Sequence, residues 1–170
     1  MTRKIPFFLA ILSMIGGVFI SILFAVNEEM FIRRIHAGLE KNIKIQQISS
    51  EQERLAKITT ETEKNWRYYQ RFHFHATGIG AMMLGLLLFL SSLNAPSSFV
   101  IVAKYMVSIG GFLYPFVWLF AGIYGPEMGR SEAKESFALF GYMGGVFLAG
   151  GVWTLWLGLR YNSKHSNFGI

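Results

Sequence analysis

The residues best suited to chemistry lie in one short segment, from Trp66 to His75, which reads WRYYQRFHFH. Neutral imidazole is a common ligand for metal ions and for haem iron. An ionisable residue inside a membrane span is a functional candidate, because lipid disfavours it strongly. On an α-helix, residues two apart point about 200° from one another. His73 and His75 therefore cannot ligate one ion on an unbroken helix, and a flat ring can approach His75 on the side of Gly78 and Met82.

A six-coordinate haem would need a second axial ligand, and spans three and four contain no histidine. The remaining candidates are His36, His165, Met106, Met128 and Met143. His36 lies about ten residues beyond the membrane edge, or roughly 15 Å along a helix, so pairing it with His73 requires a bent hairpin, a second subunit or another register. A histidine at a helix entrance followed by small residues loosely resembles the small haem-carrying subunits of respiratory membranes, without correspondence residue by residue.

The competing interpretation is that both histidines are interfacial. Tryptophan and tyrosine are enriched at membrane–water interfaces, where they anchor helices at headgroup level. Trp66, Tyr68 and Tyr69 fit such a belt together with the neighbouring arginines, so the segment does not by itself establish a ligand site.

Four apolar stretches determine the predicted architecture. Hydrophobic residues make up 52% of the 170 residues and charged residues 15%, against roughly 25% charged in ordinary globular chains. A helix needs about 20 mostly apolar residues to cross the hydrocarbon core, and the stretches 5–26, 74–93, 99–124 and 137–159 meet this requirement. The sequence predicts an all-α fold, a polytopic membrane four-helix bundle, located in the bacterial cytoplasmic (inner) membrane.

Two details of the spans follow from local signals. Arg3 and Lys4 before the first stretch also suit a signal peptide, but its long apolar run and the lack of a cleavage site favour an uncleaved anchor. Pro115 is expected to kink the third span, and Gly125-Pro126 to end it, because proline cannot continue the hydrogen-bond ladder.

Residues 27–71 are polar and predict a long extramembrane helical hairpin between helices 1 and 2. Gly38 is the only glycine or proline in this interval. Ser50 followed by Glu53 matches a capping box, which places the turn near 49–50. The two arms are equal in length, which favours an antiparallel hairpin. Mixed charge favours a water-exposed hairpin over an amphipathic segment lying on the membrane surface.

The charge distribution excludes some function classes. The net charge is +6, but 27–71 holds nine of the 16 basic residues and seven of the ten acidic ones, whereas nucleic-acid-binding proteins present a basic face. We therefore expect no nucleic-acid partner. No cysteine is present, and no HExxH, GxSxG, Walker or EF-hand motif occurs. The count of Lys and Arg in the loops favours a cytoplasmic hairpin. Arg3 and Lys4 before the first span, with Glu28 and Glu29 after it, favour a cytoplasmic N-terminus instead, so both orientations stay open.

Small residues indicate how the helices pack. Gly141, Gly145 and Ala149 form a stripe at four-residue spacing on the fourth span, and small residues permit close helix approach in membranes. The stripe fits packing within the bundle, a seam between two copies, or room for a flat cofactor. Lys104, the one charge clearly inside a span, is expected to snorkel to the interface.

Two functions follow from these patterns. The first is a small integral membrane accessory or assembly protein, not catalytic by itself, whose hairpin binds a partner. Its partners would be the lipid bilayer and another membrane protein or a second copy of the chain. The alternative is a redox-associated membrane protein that binds haem b, copper or quinone near His73 and His75, with His36 as a further candidate ligand.

Overall fold

The computed structural model describes residues 4–163, and this part of the chain is built from helices. The helices are α1 (Ile5–Lys41), α2 (Ile43–Gln46), α3 (Glu51–Ser92), α4 (Ser97–Leu113), α5 (Phe116–Met128), α6 (Arg130–Ser136) and α7 (Ala138–Arg160). Within the described range there is no β-strand, only an isolated bridge between Leu93 and Ser163. The all-α prediction is confirmed. Four helical segments are long and apolar enough to cross a membrane: α1, α3, α4 with α5, and α7.

A kink divides α1 at Asn27, whose backbone is not helical (φ −154°, ψ 66°). The Asn27 side chain accepts a hydrogen bond from Met30 N at 3.0 Å, which is how an N-cap restarts a helix. Phe24 and Phe31, on either side of the kink, both contact Trp66, with ring centroids 4.8 and 5.9 Å away. A straight arm would have advanced about 10 Å along α3 between these two residues. The first arm of the hairpin is therefore bent.

The turn between α1 and α3 is longer than the sequence predicted. α1 ends at Lys41 rather than near residue 48, and Asn42 caps the short helix α2 by accepting from Lys44 N at 3.0 Å. Ser50 caps α3 by accepting from Glu53 N at 3.4 Å, as the capping box predicts. From there α3 runs unbroken for 42 residues.

The third apolar segment breaks where Pro115 predicts, between Leu113 and Phe116, but Pro126 does not end it. Pro126 lies inside α5, which continues to Met128. The helix ends instead at Gly129, whose φ of +102° is a conformation that favours glycine. A single missing backbone donor at Pro126 is tolerated because Gly129 N still bonds to Gly125 O at 2.9 Å.

Close backbone approaches hold the helices together at glycines. A Cβ on Gly17 of α1 would lie 2.8 Å from Thr77 N on α3, and one on Gly110 of α4 would lie 2.8 Å from Met143 O on α7. Small residues are what allow helices to pack at such distances. Three apolar clusters follow one another along the helices, centred on Phe31 and Tyr69, on Met83 and Val107, and on Leu90 and Leu157.

Candidate functional site

Three aromatic residues of the segment from Trp66 to His75 are buried in the protein interior, whereas Phe74 points outward and is 68% exposed. Tyr68, Tyr69 and Phe72 are only 3%, 2% and 8% exposed. Tyr68 stacks on Trp118 of α5 with ring centroids 5.9 Å apart. Tyr68 and Tyr69 therefore pack against neighbouring helices rather than facing outward, while the interpretation that both histidines are interfacial stays a prediction.

His73 is oriented toward α1. Its Nδ1 lies 2.8 Å from the carbonyl oxygen of Gly17, and its ring is 6.5 Å from that of Phe24. A carbonyl oxygen only accepts hydrogen bonds, so Nδ1 carries the proton and donates. The lone pair of the neutral ring then lies on Nε2. The bond joins α1 to α3 beside the close approach of Gly17 to Thr77.

His75 is oriented toward α5. Its Nδ1 donates to the carbonyl of Arg71 at 2.7 Å, and its ring lies 5.4 Å from Tyr114 and 5.7 Å from Trp118. The guanidinium of Arg71 also lies over the Trp118 ring, 4.9 Å from its centroid. Opposite orientations of His73 and His75 are what their spacing on a helix predicts, and the two rings do not share a site.

The remaining candidate ligands lie on four different helices, His36 on α1, Met106 on α4, Met128 on α5 and Met143 on α7. His36 is exposed, twelve residues beyond Phe24 and thus roughly 18 Å further along the α1 chain. Met106 and Met143 lie at the contact between α4 and α7. In residues 4–163 no three His, Asp or Glu side chains are grouped to hold a metal ion, and His165 lies outside the described residues. The haem and copper interpretations therefore stay predictions.

The hairpin contacts the C-terminal end of α5 where α1 ends. The Asn42 side chain is buried and donates from Nδ2 to the carbonyls of Pro126 and Glu127, both at 3.0 Å. A Cβ on Gly38 would lie 2.7 Å from Cβ of Pro126, so α1 passes directly over the end of α5. Asn42 therefore caps two helices, α2 through its oxygen and the C-terminal carbonyls of α5 through its nitrogen. The hairpin is not a free-standing pair of arms.

An ion cluster centred on Glu61 joins α3 to α6 at the same level. Glu61, with a side chain only 13% exposed, bonds Arg130 Nε at 2.8 Å and Lys64 at 3.2 Å, with Lys57 at 3.7 Å. Burial acts to raise the pKa of Glu61, but the hydrogen bonds from Lys64 and Arg130 outweigh burial and hold this pKa below its ordinary value. An exposed ion pair between Lys44 and Glu132 lies nearby. The Glu61 carboxylate, shared by three cations, therefore joins α3 to α6.

The polar residues at this junction were not identified from the sequence. Asn65 is fully buried, donates to Glu61 O at 2.8 Å, and has no partner for Oδ1 among the described residues. A Cβ on Gly125 would lie 2.9 Å from that oxygen. Asn42 offered one signal, since asparagine is a preferred N-cap residue. Nothing local indicates that Glu61 meets Arg130, which lies 69 positions away.

The predicted stripe on the fourth span faces away from the bundle over most of its length. A Cβ at Gly145 would have no neighbouring atom within 4 Å, and a Cβ at Gly141 would approach only Val117 Cγ2, at 3.8 Å. Ala149 is exposed. The close contacts with α4 and its neighbours fall instead at Gly144 and Gly150. A seam between two copies of the chain stays a prediction.

Lys104, at the opposite end of the bundle, lies beside a cavity of about 500 Å³ that Ser91 and Tyr105 also line. Its ammonium group donates to Ser91 Oγ at 2.7 Å and lies 5.6 Å from the centre of the Phe7 ring. These contacts within the bundle show that Lys104 is held by its neighbours, in addition to any extension toward the interface.

Comparisons of the chain with protein-family models, with curated proteins and with solved structures gave no match. The functional argument therefore depends on the geometry of this chain.

Proposed function

We propose that the chain is an integral membrane protein whose four long apolar segments cross the bilayer. Large apolar side chains point outward along all of these segments, among them Phe19, Leu88, Ile101 and Leu155. Water would disfavour so much exposed apolar surface, whereas lipid would cover it. The bacterial cytoplasmic membrane remains the predicted location.

Within the membrane we propose an accessory or assembly role, with the tip of the hairpin as the partner-binding element. Beyond the contact with α5, the chain exposes two large apolar side chains, Ile43 (68%) and Leu55 (54%), in the segment predicted to lie outside the bilayer. The junctions at Asn42 and Glu61 hold the base of this tip. A partner would therefore meet a surface that is already ordered, which reduces the entropic cost of binding. Another membrane protein or a second copy of the chain is the expected partner.

The insertion proposal is tested by labelling from the two sides of the membrane. Because the chain has no cysteine, a single introduced cysteine is the only thiol that can react. The two positions are Leu55, at the tip of the hairpin, and Ser97, which begins α4 at the far end of the bundle. Leu55→Cys and Ser97→Cys should react with an impermeant maleimide from opposite sides of sealed vesicles, which also establishes the orientation. Reaction of both from one side, or release of the protein by alkaline carbonate, would reject the four-span topology.

The partner proposal is tested by photo-crosslinking in native membranes. A photoreactive amino acid at Ile43 or Leu55 should yield a discrete protein adduct. The matched control is Ile22, which is as exposed as Leu55 (54%) but lies on a proposed span. Absence of an adduct at both tip positions, or equal adducts at Ile22, would show that the tip is not the docking element.

A redox-associated role is the second proposal, and one observation favours it. The Nδ1–H groups of His73 and His75 each bond to a backbone carbonyl, and metal-ligating histidines usually have such a partner on the nitrogen that does not bind the metal. An absorption spectrum and metal analysis of detergent-purified protein test this role. A Soret band or bound copper that His75→Ala removes and His36→Ala retains would support it. Lack of both signals would reject it.

A further inference from the structure

A groove with a charged outer end lies beside the kink in α1. It has a volume of about 400 Å³, within the usual range of small-molecule sites. Its apolar walls come from both halves of α1 and from α5, including Ile20, Leu23, Leu119 and Ile123. Arg34 and the buried ring of Tyr69 complete it. The groove is lined from both sides of Asn27, where α1 changes direction.

The outer end of this groove lies at the level where α7 begins. Phe137, immediately before α7, packs against Phe120 at 4.9 Å and stacks on Tyr124 at 5.3 Å, so Ile123 is level with that helix start. The 23 residues of α7 span about 35 Å, close to the thickness of the hydrocarbon core. With the bundle inserted as proposed above, Ile123 would lie at the edge of the hydrocarbon and Leu119, one turn earlier, about 6 Å deeper.

Arg34 lies at this same edge. Gly38, one turn further along α1, contacts Pro126, and Phe31, one turn before Arg34, packs on Tyr69 at 5.1 Å. Arg34 forms no ion pair with any residue in the range 4–163, whereas its neighbour Arg33 pairs with Glu29 at 3.9 Å. A guanidinium at headgroup level without a carboxylate partner can donate two parallel hydrogen bonds to a phosphate group.

We propose that this groove binds an anionic glycerophospholipid, with the phosphate on Arg34 and part of one acyl chain against Leu23, Leu119 and Ile123. Apolar walls that point into the hydrocarbon, with one cation at the edge, match an amphiphile that carries an anionic head. The inference rests on the proposed membrane insertion of the four helices.

Native mass spectrometry of the intact protein in mild detergent tests the site. The probes are phosphatidylglycerol and phosphatidylcholine with identical acyl chains. We expect the wild-type protein to retain phosphatidylglycerol about fivefold better, the preference that one basic residue gives for an anionic lipid. Arg34→Gln should remove this preference, and the matched control Arg33→Gln should keep it.

A second variant tests the groove itself. Leu119→Trp fills the apolar wall and should lower retention of both lipids, while Arg34 remains in place. Equal behaviour of Arg34→Gln and Arg33→Gln would show that overall charge alone selects the lipid, which overturns the proposal. Unchanged retention in Leu119→Trp would overturn it as well, as would a co-purified ligand with the mass of an isoprenoid quinone. Failure of membrane insertion would be recognised separately, by carbonate extraction of the wild-type protein.

Discussion

Asn42 provides the most stringent test of how the hairpin is held, because one buried side chain serves two helices. Its oxygen accepts from Lys44 N, and its nitrogen donates to the carbonyls of Pro126 and Glu127. Asn42→Ala removes all three hydrogen bonds. Asn42→Asp keeps the acceptor, removes the donor and places a negative charge beside two carbonyl oxygens. The pair of variants therefore separates the cap of α2 from the contact with α5.

The magnitude follows from these bonds. Loss of an N-cap costs about 1 kcal/mol, and each of the other two hydrogen bonds contributes about 1 kcal/mol net. Because Asn42 is only 7% exposed, water will not readily replace its donor. We expect Asn42→Ala to lower the free energy of unfolding by about 3 kcal/mol and Asn42→Asp by about 2 kcal/mol.

The assay is equilibrium unfolding in mixed micelles with increasing mole fraction of sodium dodecyl sulfate, followed by tryptophan fluorescence. Part of the loss can be taken up by local opening, so hydrogen exchange of the amides in residues 126–132 is measured alongside it. Faster exchange there in both variants is the expected local signature. Aspartate caps a helix about as well as asparagine, so if Asn42 acts only as an N-cap, Asn42→Asp should change stability little. A free energy of unfolding within about 0.5 kcal/mol of wild type, with wild-type amide exchange in residues 126–132, would therefore show that the bonds donated by Asn42 do not hold the hairpin.

Three further predictions use the same unfolding measurement. Gly17→Val should lower the free energy of unfolding by about 1–3 kcal/mol, because the new side chain would overpack the contact with Thr77. Gly16→Val should lower it little, because a Cβ at Gly16 would have no neighbouring atom within 4 Å. Equal losses in the two variants would contradict the close approach of α1 to α3. Gly129→Ala should cost about 1–3 kcal/mol, because its φ of +102° is strained for a residue with a side chain; a neutral result would show that α5 ends differently. The pKa of Glu61 is lowered by its cationic partners although burial opposes this, so its contribution is complete above the ordinary carboxyl pKa and is lost as pH falls through the lowered value. The wild-type protein should therefore lose more stability below about pH 4 than Glu61→Gln does, and parallel pH profiles would argue against the ion cluster.

The helices and most of their ends could be predicted because their causes are local. Long apolar runs predict the four segments, the Ser50–Glu53 spacing predicts the start of α3, and Pro115 predicts the break before α5. Each of these signals lies within a few residues of the feature that it determines. The prediction that Pro126 ends the third segment was wrong because it used only the local signal, that proline breaks helices. The carbonyl of Pro126 is satisfied by Asn42, which lies 84 positions away in the sequence.

The candidate site was less predictable because it depends on which neighbour covers each face of α3. An aromatic residue at a membrane interface and one in a protein core give the same sequence pattern, and only the packing of α1 and α5 against α3 decides that Tyr68 and Tyr69 are buried. The opposed directions of His73 and His75 did follow from helical geometry. Their partners, a carbonyl of Gly17 and the rings of Tyr114 and Trp118, required the crossing of the helices.

The two loops at the hairpin end of the bundle form one unit, and this has a consequence for the proposed docking role. α3 runs without interruption from the tip at Glu51 to Ser92, so a displacement of the tip is carried into the bundle by a single helix. α1 is kinked at Asn27 and can absorb such a displacement. Asn42 and the Glu61 cluster resist it, because they attach the hairpin to α5 and α6. Weakening Asn42 should therefore reduce crosslinking of a partner at Leu55 while the packing of the four long helices is retained.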